Sequence, residues 1–437
     1  MNAIISTPCG EIKGIQADSE VVAFKGIRYA TAERWAYPEE VSSWEGTYDA
    51  TQYGSCSYQP RAFYNEEENP GKIFYYNEFR KGESYNYDED CLFLNIWTPA
   101  DADESSRLPV LIYIHGGGFT GGCGHEKHFD GPVWAKKGVV AVTVNYRLGP
   151  MGFACLPELK EQAGHTGNYG LYDQLAAINW VKKNISAFGG DGDKLTIMGQ
   201  SAGAMSVQHL CQSELTDGLF QGAVMSSGVA MGSFMTSTPE KKYSFWQEVM
   251  KSCGAETLEE FRKISPEVLF ECWKSTKGSA MSAVPVVDGM LIKKGARPKK
   301  IPYMVGSTSH DMAPAVLHPM TKSWAVKNGA FLWHFSRMLP GDDKGAWHSS
   351  DLWYWFGTLT NSWRHMQEKD YHLSDEMSTY LCNFVKNGTP DGDGLPLWKK
   401  CTDKKSVMCF GDSDTVMGSV NMKKLIVTTL TNKPVGE

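Results

Sequence analysis

A serine flanked by glycines at two removes, Gly199-Gln200-Ser201-Ala202-Gly203, constrains this chain more than any other feature. It follows the apolar run KLTIM at 194–198 and precedes a stretch of helical composition. A strand that turns straight into a helix there leaves no room for side chains two positions either side of the serine. Glycine tolerates both the close backbone approach and the unusual dihedrals. The turn lifts the Ser201 hydroxyl above the sheet edge, near the positive end of the following helix, which is the geometry of a nucleophile elbow. A bare G-x-S-x-G string is only moderately specific. Its strand–turn–helix setting carries the assignment.

That setting recurs along the chain. LPVLIYI at 108–114 and GVVAVTVNY at 138–146 are continuous apolar runs, and AVMS at 223–226 and IPYMV at 301–305 follow at crossover spacing. Strands apolar on both faces belong to a mostly parallel sheet covered by helices. Leu171, Leu175, Ile178, Val181 and Ile185 recur at helical spacing and predict one of those helices. Gly189-Gly190-Asp191-Gly192-Asp193 reads as a turn before the elbow strand, since the rest of a calcium loop is absent. Two stretches break the rhythm. Residues 57–90 hold nine aromatics without a period and read as a long loop, and 232–284 read as a lobe of helices on the sheet. With no internal repeat, residues 1–437 are expected to form one α/β domain carrying these two insertions.

Composition excludes several functions. Hydrophobic residues at 42% and charged residues at 21% rule out a disordered chain. A net charge of −7 supplies no basic footprint for nucleic acid or an anionic membrane. No apolar run approaches the ~20 residues of a transmembrane helix. The first ten residues lack a basic region and an apolar core, so no export signal is read and a cytoplasmic protein is expected. Eleven scattered cysteines without a CxxC spacing read as buried small hydrophobes rather than a structural zinc site. Neither a metal nor an organic cofactor is expected.

A second element supports the elbow. His115-Gly116-Gly117-Gly118-Phe119 follows a buried strand, and side-chain-free glycines let backbone N–H groups point at a developing oxyanion. Phosphate binding is excluded, because neither G-x-G-x-x-G nor Gly-Lys-Ser/Thr is present. A serine nucleophile needs a base and an orienting carboxylate, in the order Ser, acid, His. Seven of the eleven histidines follow Ser201, and spacing does not choose among them. His348 in GAWHSSD (345–351) is a plausible loop position. Asp311 follows the strand at 301–305, where sites of α/β proteins assemble, and His310 beside it reads as a bystander.

The chain resembles the type-B carboxylesterase family of α/β-hydrolases over nearly its whole length. The matching motifs are FKGIRYA (24–30), EDCLFLNI (89–96), NYRLG (145–149), GNYGLYDQ (167–174), FGGD (188–191), the elbow, PVVDG (285–289) and NFVKNG (383–388). The resemblance implies Ser201 as nucleophile, Asp311 as acid and His348 as base, with oxyanion donors at Gly117, Gly118 and Ala202. Three departures follow. Neutral Gln200 stands where many relatives carry an acid, which weakens any preference for cationic alcohols. Only 37 positions separate Asp311 from His348, where relatives commonly have about a hundred more, so a more open or differently shaped pocket is expected, closed by 232–284 and 312–345. Cys56 and Cys91 match the family's first disulfide, whose formation stays open without an export signal.

These observations predict a serine esterase for small to medium uncharged carboxylic esters. Gln200, Phe119 and Trp347 are the expected substrate contacts. An aromatic-ester or acyl-sugar esterase, or an amidase, is the alternative, suggested by the 57–90 aromatics and the tryptophans at 347, 353 and 355. A non-catalytic binding protein of the same fold is disfavoured, because all three triad residues are present.

Overall fold

The computed structural model describes residues 2–403 and 405–431. The strand order of its main sheet explains why the apolar runs lack a polar face. Twelve strands form the path: β1 Asn2–Thr7, β2 Gly10–Gln16, β3 Val21–Arg28, β4 Phe93–Pro99, β5 Leu108–Ile114, β6 Val140–Val144, β7 Gly190–Gln200, β8 Gly222–Ser226, β9 Tyr303–Thr308, β10 Phe331–Phe335, β11 Val407–Phe410 and β12 Val416–Gly418. Their spatial order is β1-β2-β3-β4-β6-β5-β7-β8-β9-β10-β11-β12, with a two-residue strand, Tyr48–Asp49, paired off β2. From β6 to β11 every neighbouring pair is parallel, and the other strands of the path pair antiparallel, while Tyr48–Asp49 runs parallel to β2.

Alternate residues of one strand enter different cores. Val110, Ile112 and Ile114 of β5 pack with helix Tyr169–Asn184 through Ile178 and Val181, whereas Leu111 and Tyr113 pack with Trp134 and the helices Leu352–Phe356 and Glu368–Asn387. The period of two thus persists, but both faces are dry. The elbow strand begins at Gly190, ahead of the 194–198 run. Gly190 pairs with Leu108, and a register shift then sets Leu195 against Val110. The expected turn is thus confined to Gly189, at φ 80°; Gly190–Asp193 already belong to the strand, where Asp191 binds Arg107 and accepts the Asp193 N–H.

The two irregular stretches hold defined structure. Residues 57–90 include helix Ile73–Phe79, whose aromatic side chains dock on Trp347. A period is hard to read there because the helix is short and packs on rings far along the chain. Between β8 and β9 lie helices Glu240–Ser252, Leu258–Lys263 and Pro266–Ser275. The second is opened by a capping box: Thr257 Oγ1 accepts the Glu260 N–H and Glu260 returns a carboxylate oxygen to the Thr257 N–H. Trp246, Phe261 and Phe270 of this lobe share a buried cluster with Phe119, Met205 and Ala202. The lobe therefore backs the elbow. Among the described residues, no helix is long and apolar enough to cross a membrane.

Candidate active site

Four parallel strands deliver the site from their C-terminal ends. Gly116–118 follow β5, Ser201 follows β7, Asp311 lies just past β9, and His348 sits in the loop after β10. A crevice at that edge of a parallel sheet is where such folds assemble reactive groups.

Ser201 has φ 57° and ψ −124°, a strained conformation for a residue with a Cβ. The elbow glycines make it possible. A Cβ on Gly199 would stand 2.3 Å from the Gly203 carbonyl, and one on Gly203 would stand 2.1 Å from the Ile114 carbonyl oxygen. Both clashes are with backbone, so neither residue can be larger. The helix Ala202–Gln212 starts immediately, which leaves the Ala202 N–H in its first turn without an intrahelical acceptor. On the facing loop Gly117 and Gly118 take φ 99° and 64°. The chain reverses there, with Thr120 and Gly121 N–H groups donating to the Gly117 carbonyl. A Cβ on Gly117 would lie 2.0 Å from the Gly121 oxygen.

His348 Nδ1 is 2.5 Å from Asp311 Oδ1. Asp311 is fully enclosed; its other oxygen accepts from Ser227 Oγ at 2.5 Å and from the Thr308 N–H at 3.1 Å. Burial raises its pKa, but His348 and these donors outweigh burial and hold the carboxyl below its ordinary range. Burial likewise opposes charging of His348, and the Asp311 carboxylate reverses it, so the imidazole pKa stands above its ordinary value. The other ring nitrogen, Nε2, is 3.1 Å from the Gln200 side-chain nitrogen. With Nδ1–H given to Asp311, the Nε2 lone pair accepts from that amide, beside Ser201.

Several contributors carry no local sequence signal. Asp351, fully buried, accepts from Ser226 Oγ at 2.8 Å and from the Trp355 indole at 3.2 Å. Burial and the nearby Asp311 charge raise its pKa to about 6. His310 is not idle, since its Nδ1 accepts the Ala346 N–H and its own N–H binds the Ala346 carbonyl. It thereby pins the loop that presents His348.

Ser201, His348, Gln200, Gly117 and Gly118 line one cavity of about 380 Å³. Its far wall comes from Gln59 to Arg80, including Tyr64, Tyr75 and Phe79. This corrects the expectation about the wall: among the described residues, none of 232–284 lines the cavity, and of 312–345 only Met312 does. The lobe's apolar faces are spent on the buried cluster behind the elbow. Phe119 and Trp347 are not on the cavity wall either. The Phe119 ring is fully buried against Phe153, and Trp347 is 5% exposed among Phe74, Tyr75 and Phe79. Trp353 and Trp355 are fully buried core residues. One end of the cavity is ionic. Arg61 pairs with Glu126 at 2.5 Å, and Arg80 with Glu66 at 2.7 Å and Glu126 at 3.3 Å. Burial would raise the Glu126 pKa, but the two guanidiniums bring it to about 2. Cys56 and Cys91 are both free thiols; the Cys56 sulfur faces Cys123 and His125 instead.

A model of the carboxylesterase family matches residues 1–323 and 315–425. A para-nitrobenzyl esterase of Bacillus subtilis (strain 168) is 41% identical over 232 residues, which is 52% of this chain and 44% of that protein. A fumonisin B1 esterase of Sphingopyxis macrogoltabida is 34% identical over 320 residues, 70% of this chain and 55% of that one. The chain thus spans about half the length of these two relatives. Among solved structures, an esterase from anaerobic Clostridium hathewayi, described as able to hydrolyse aliphatic aromatic polyesters, superposes with a TM-score of 0.83 at 27% identity, covering 99% of this chain and 98% of that one. A Geobacillus stearothermophilus carboxylesterase superposes with a TM-score of 0.79 at 25% identity, covering 97% and 99%. The sheet order, the elbow and these matches agree: the chain has the α/β-hydrolase fold and belongs to the carboxylesterase family.

Proposed function

We propose that this protein is a serine carboxylesterase working through an acyl-enzyme. The observation that carries the reading is the 2.5 Å Asp311–His348 contact opening onto the cavity that also holds Ser201 on its strained elbow. Ser201 Oγ attacks the ester carbonyl while His348 Nε2 takes its proton, and Asp311 keeps the imidazole in the tautomer that leaves Nε2 free to act. The Gly117, Gly118 and Ala202 N–H groups stabilise the tetrahedral oxyanion, each such donor being worth about 2.7–4 kcal/mol. His348 then protonates the departing alcohol, and water releases the acyl group by the same route. Before attack, Gln200 must yield the Nε2 position it occupies.

The cavity volume suits small to medium esters. Tyr64, Tyr75 and Phe79 on its wall favour an aromatic acyl or alcohol group as the second reading. A reducing, cytoplasmic setting is part of the same reading, because it would keep the eleven cysteines, most of them buried, as thiols. The test is p-nitrophenyl acetate turnover by wild type and Ser201→Ala, followed by butyrate, octanoate and methyl ferulate. Loss of about 10³-fold or more in kcat for the variant is expected. Full turnover by Ser201→Ala, or no labelling of the wild type by a fluorophosphonate, would refute the assignment.

A further inference from the structure

At the end of the loop carrying Gly117 and Gly118, three side chains with no part in ester hydrolysis converge. The sulfurs of Cys56 and Cys123 and a ring nitrogen of His125 all lie within 4.8 Å of one another. Cys56 and Cys123 are 0% and 1% exposed, whereas His125 is half-buried. Cys56 Sγ stands 3.6 Å from His125 Nε2. In a tetrahedral site with metal–sulfur bonds of about 2.3 Å and metal–nitrogen bonds of about 2.0–2.1 Å, neighbouring sulfur and nitrogen ligands stand about 3.6 Å apart. The thiol and the imidazole already keep that separation.

The scaffold holds all three in place. Asn145 reaches both ligand-bearing segments: its Oδ1 accepts the N–H of Gly124, between Cys123 and His125, at 2.7 Å, and its Nδ2 donates to the carbonyl of Ser55, next to Cys56, at 3.0 Å. A Cβ on Gly124 would meet the Val144 backbone at 3.0 Å, so that turn is packed against β6. The His125 ring stacks on Tyr53 with centroids 4.6 Å apart. Arg61 donates to the Cys123 sulfur at 3.7 Å, a contact that offsets thiolate charge.

We propose that Cys56, Cys123 and His125 form a binding site for a thiophilic divalent cation of the zinc class. Two thiolates and one neutral imidazole supply three ligands, and a water entering past His125 supplies the fourth. The two thiol protons are released to solvent on binding. The ion acts as a brace outside the reaction. Cys56 opens the segment whose Gln59 clasps Gly122 from both sides, through a 3.0 Å bond to its carbonyl and a 2.9 Å bond from its N–H. Cys123 closes the glycine loop. An ion joining them ties the cavity wall to the oxyanion loop.

The test uses the full chain, purified under reductant and stripped with a chelator. It is titrated with Zn²⁺ against a chromophoric chelator, and separately with Co²⁺ and Cd²⁺. One ion per chain is expected, with tetrahedral cobalt bands, a cadmium–thiolate charge-transfer band and a higher Tm in zinc. Cys56→Ala and Cys123→Ala should each lose stoichiometric binding, whereas Ser201→Ala should keep it, which separates this proposal from the esterase assignment. Should either cysteine variant fail to fold, the wild-type cobalt and cadmium spectra decide alone. Absence of stoichiometric binding, cobalt bands of octahedral type, binding retained by both cysteine variants, or a mass two hydrogens light from a Cys56–Cys123 disulfide would each overturn it.

Discussion

Replacing Gln200 by Glu places a carboxylate against the proposed base. The Gln200 side-chain nitrogen is 3.1 Å from His348 Nε2, and Gln200 is 3% exposed, so little solvent screens the pair. Unit charges about 4 Å apart attract by ~1 kcal/mol in water and ~4 kcal/mol at an effective dielectric of ~20. At ~1.36 kcal/mol per pKa unit, that range raises the imidazole pKa by about 0.7–3 units. The cost of burying the new carboxylate pulls the result toward the middle, an expected rise of about one to two units. Asp311 and Asp351 already favour the imidazolium, so the new charge adds to theirs. The direction is fixed by the chemistry. Only neutral His348 can take the serine proton, so the acid limb of kcat/KM must move to higher pH by the same amount.

The assay is kcat/KM for p-nitrophenyl acetate from about pH 5 to 10, for wild type and Gln200→Glu. Near neutrality the variant should lose roughly tenfold or more, and above its new pKa it should approach wild type. Discrimination for a choline ester over its uncharged isostere should rise as well. An acid limb that stays put or moves to lower pH, in a variant with unchanged Tm, would refute the contact between residue 200 and the base.

Three further outcomes follow from the same geometry. Asp311→Asn should keep the fold but lose about 10⁴-fold in kcat, because an amide no longer selects the tautomer with Nε2 free; single-turnover kinetics with a p-nitrophenyl ester measure it. Gly203→Ala drives a Cβ to 2.1 Å from the Ile114 carbonyl oxygen, so the elbow must open; both ester turnover and Tm should fall, since no side chain can rotate out of the way. Arg364→Met strands Glu78, which is 1% exposed and paired with Arg364 at 2.6 Å. Chemical denaturation should show a loss of about 3–5 kcal/mol, much of it recovered when Glu78→Met is added.

The parts of this molecule legible in its sequence are those enforced within a few residues. The elbow could be read because its constraint is backbone against backbone: Gly199 and Gly203 meet each other and Ile114 too closely for any Cβ. The β5 and β6 runs were legible because burial on both faces leaves an unbroken apolar string. His348 was not legible in this way. Its loop is set by His310 and Ala346 bonding across 36 positions, and no periodicity encodes such a bridge, so resemblance had to select it. Asp351 and Ser227 stayed silent for the same reason.

The cavity wall failed for a different physical reason. A lobe rich in aromatic and aliphatic residues has more than one apolar surface to satisfy, and composition does not say which. In 232–284 the large side chains Trp246, Phe261, Phe270 and Trp273 are consumed in the buried cluster behind Phe119 and Ala202, with Tyr243 and Phe245 packed against it. The shorter excursion 57–90 cannot bury its aromatics internally, because its one α-helix is seven residues long. It lays them on other elements: Phe63 on Phe270 of the lobe, and Phe74, Tyr75 and Phe79 on Trp347, the residue next to His348. The segment that looked least structured therefore becomes the wall of the site. It also carries Cys56, whose two companions lie 67 and 69 positions further on at Cys123 and His125. No local spacing rule joins such a triplet. What joins it is Asn145, one side chain bonded to both strands of the loop pair, and a reading confined to neighbours in sequence has no access to that bond.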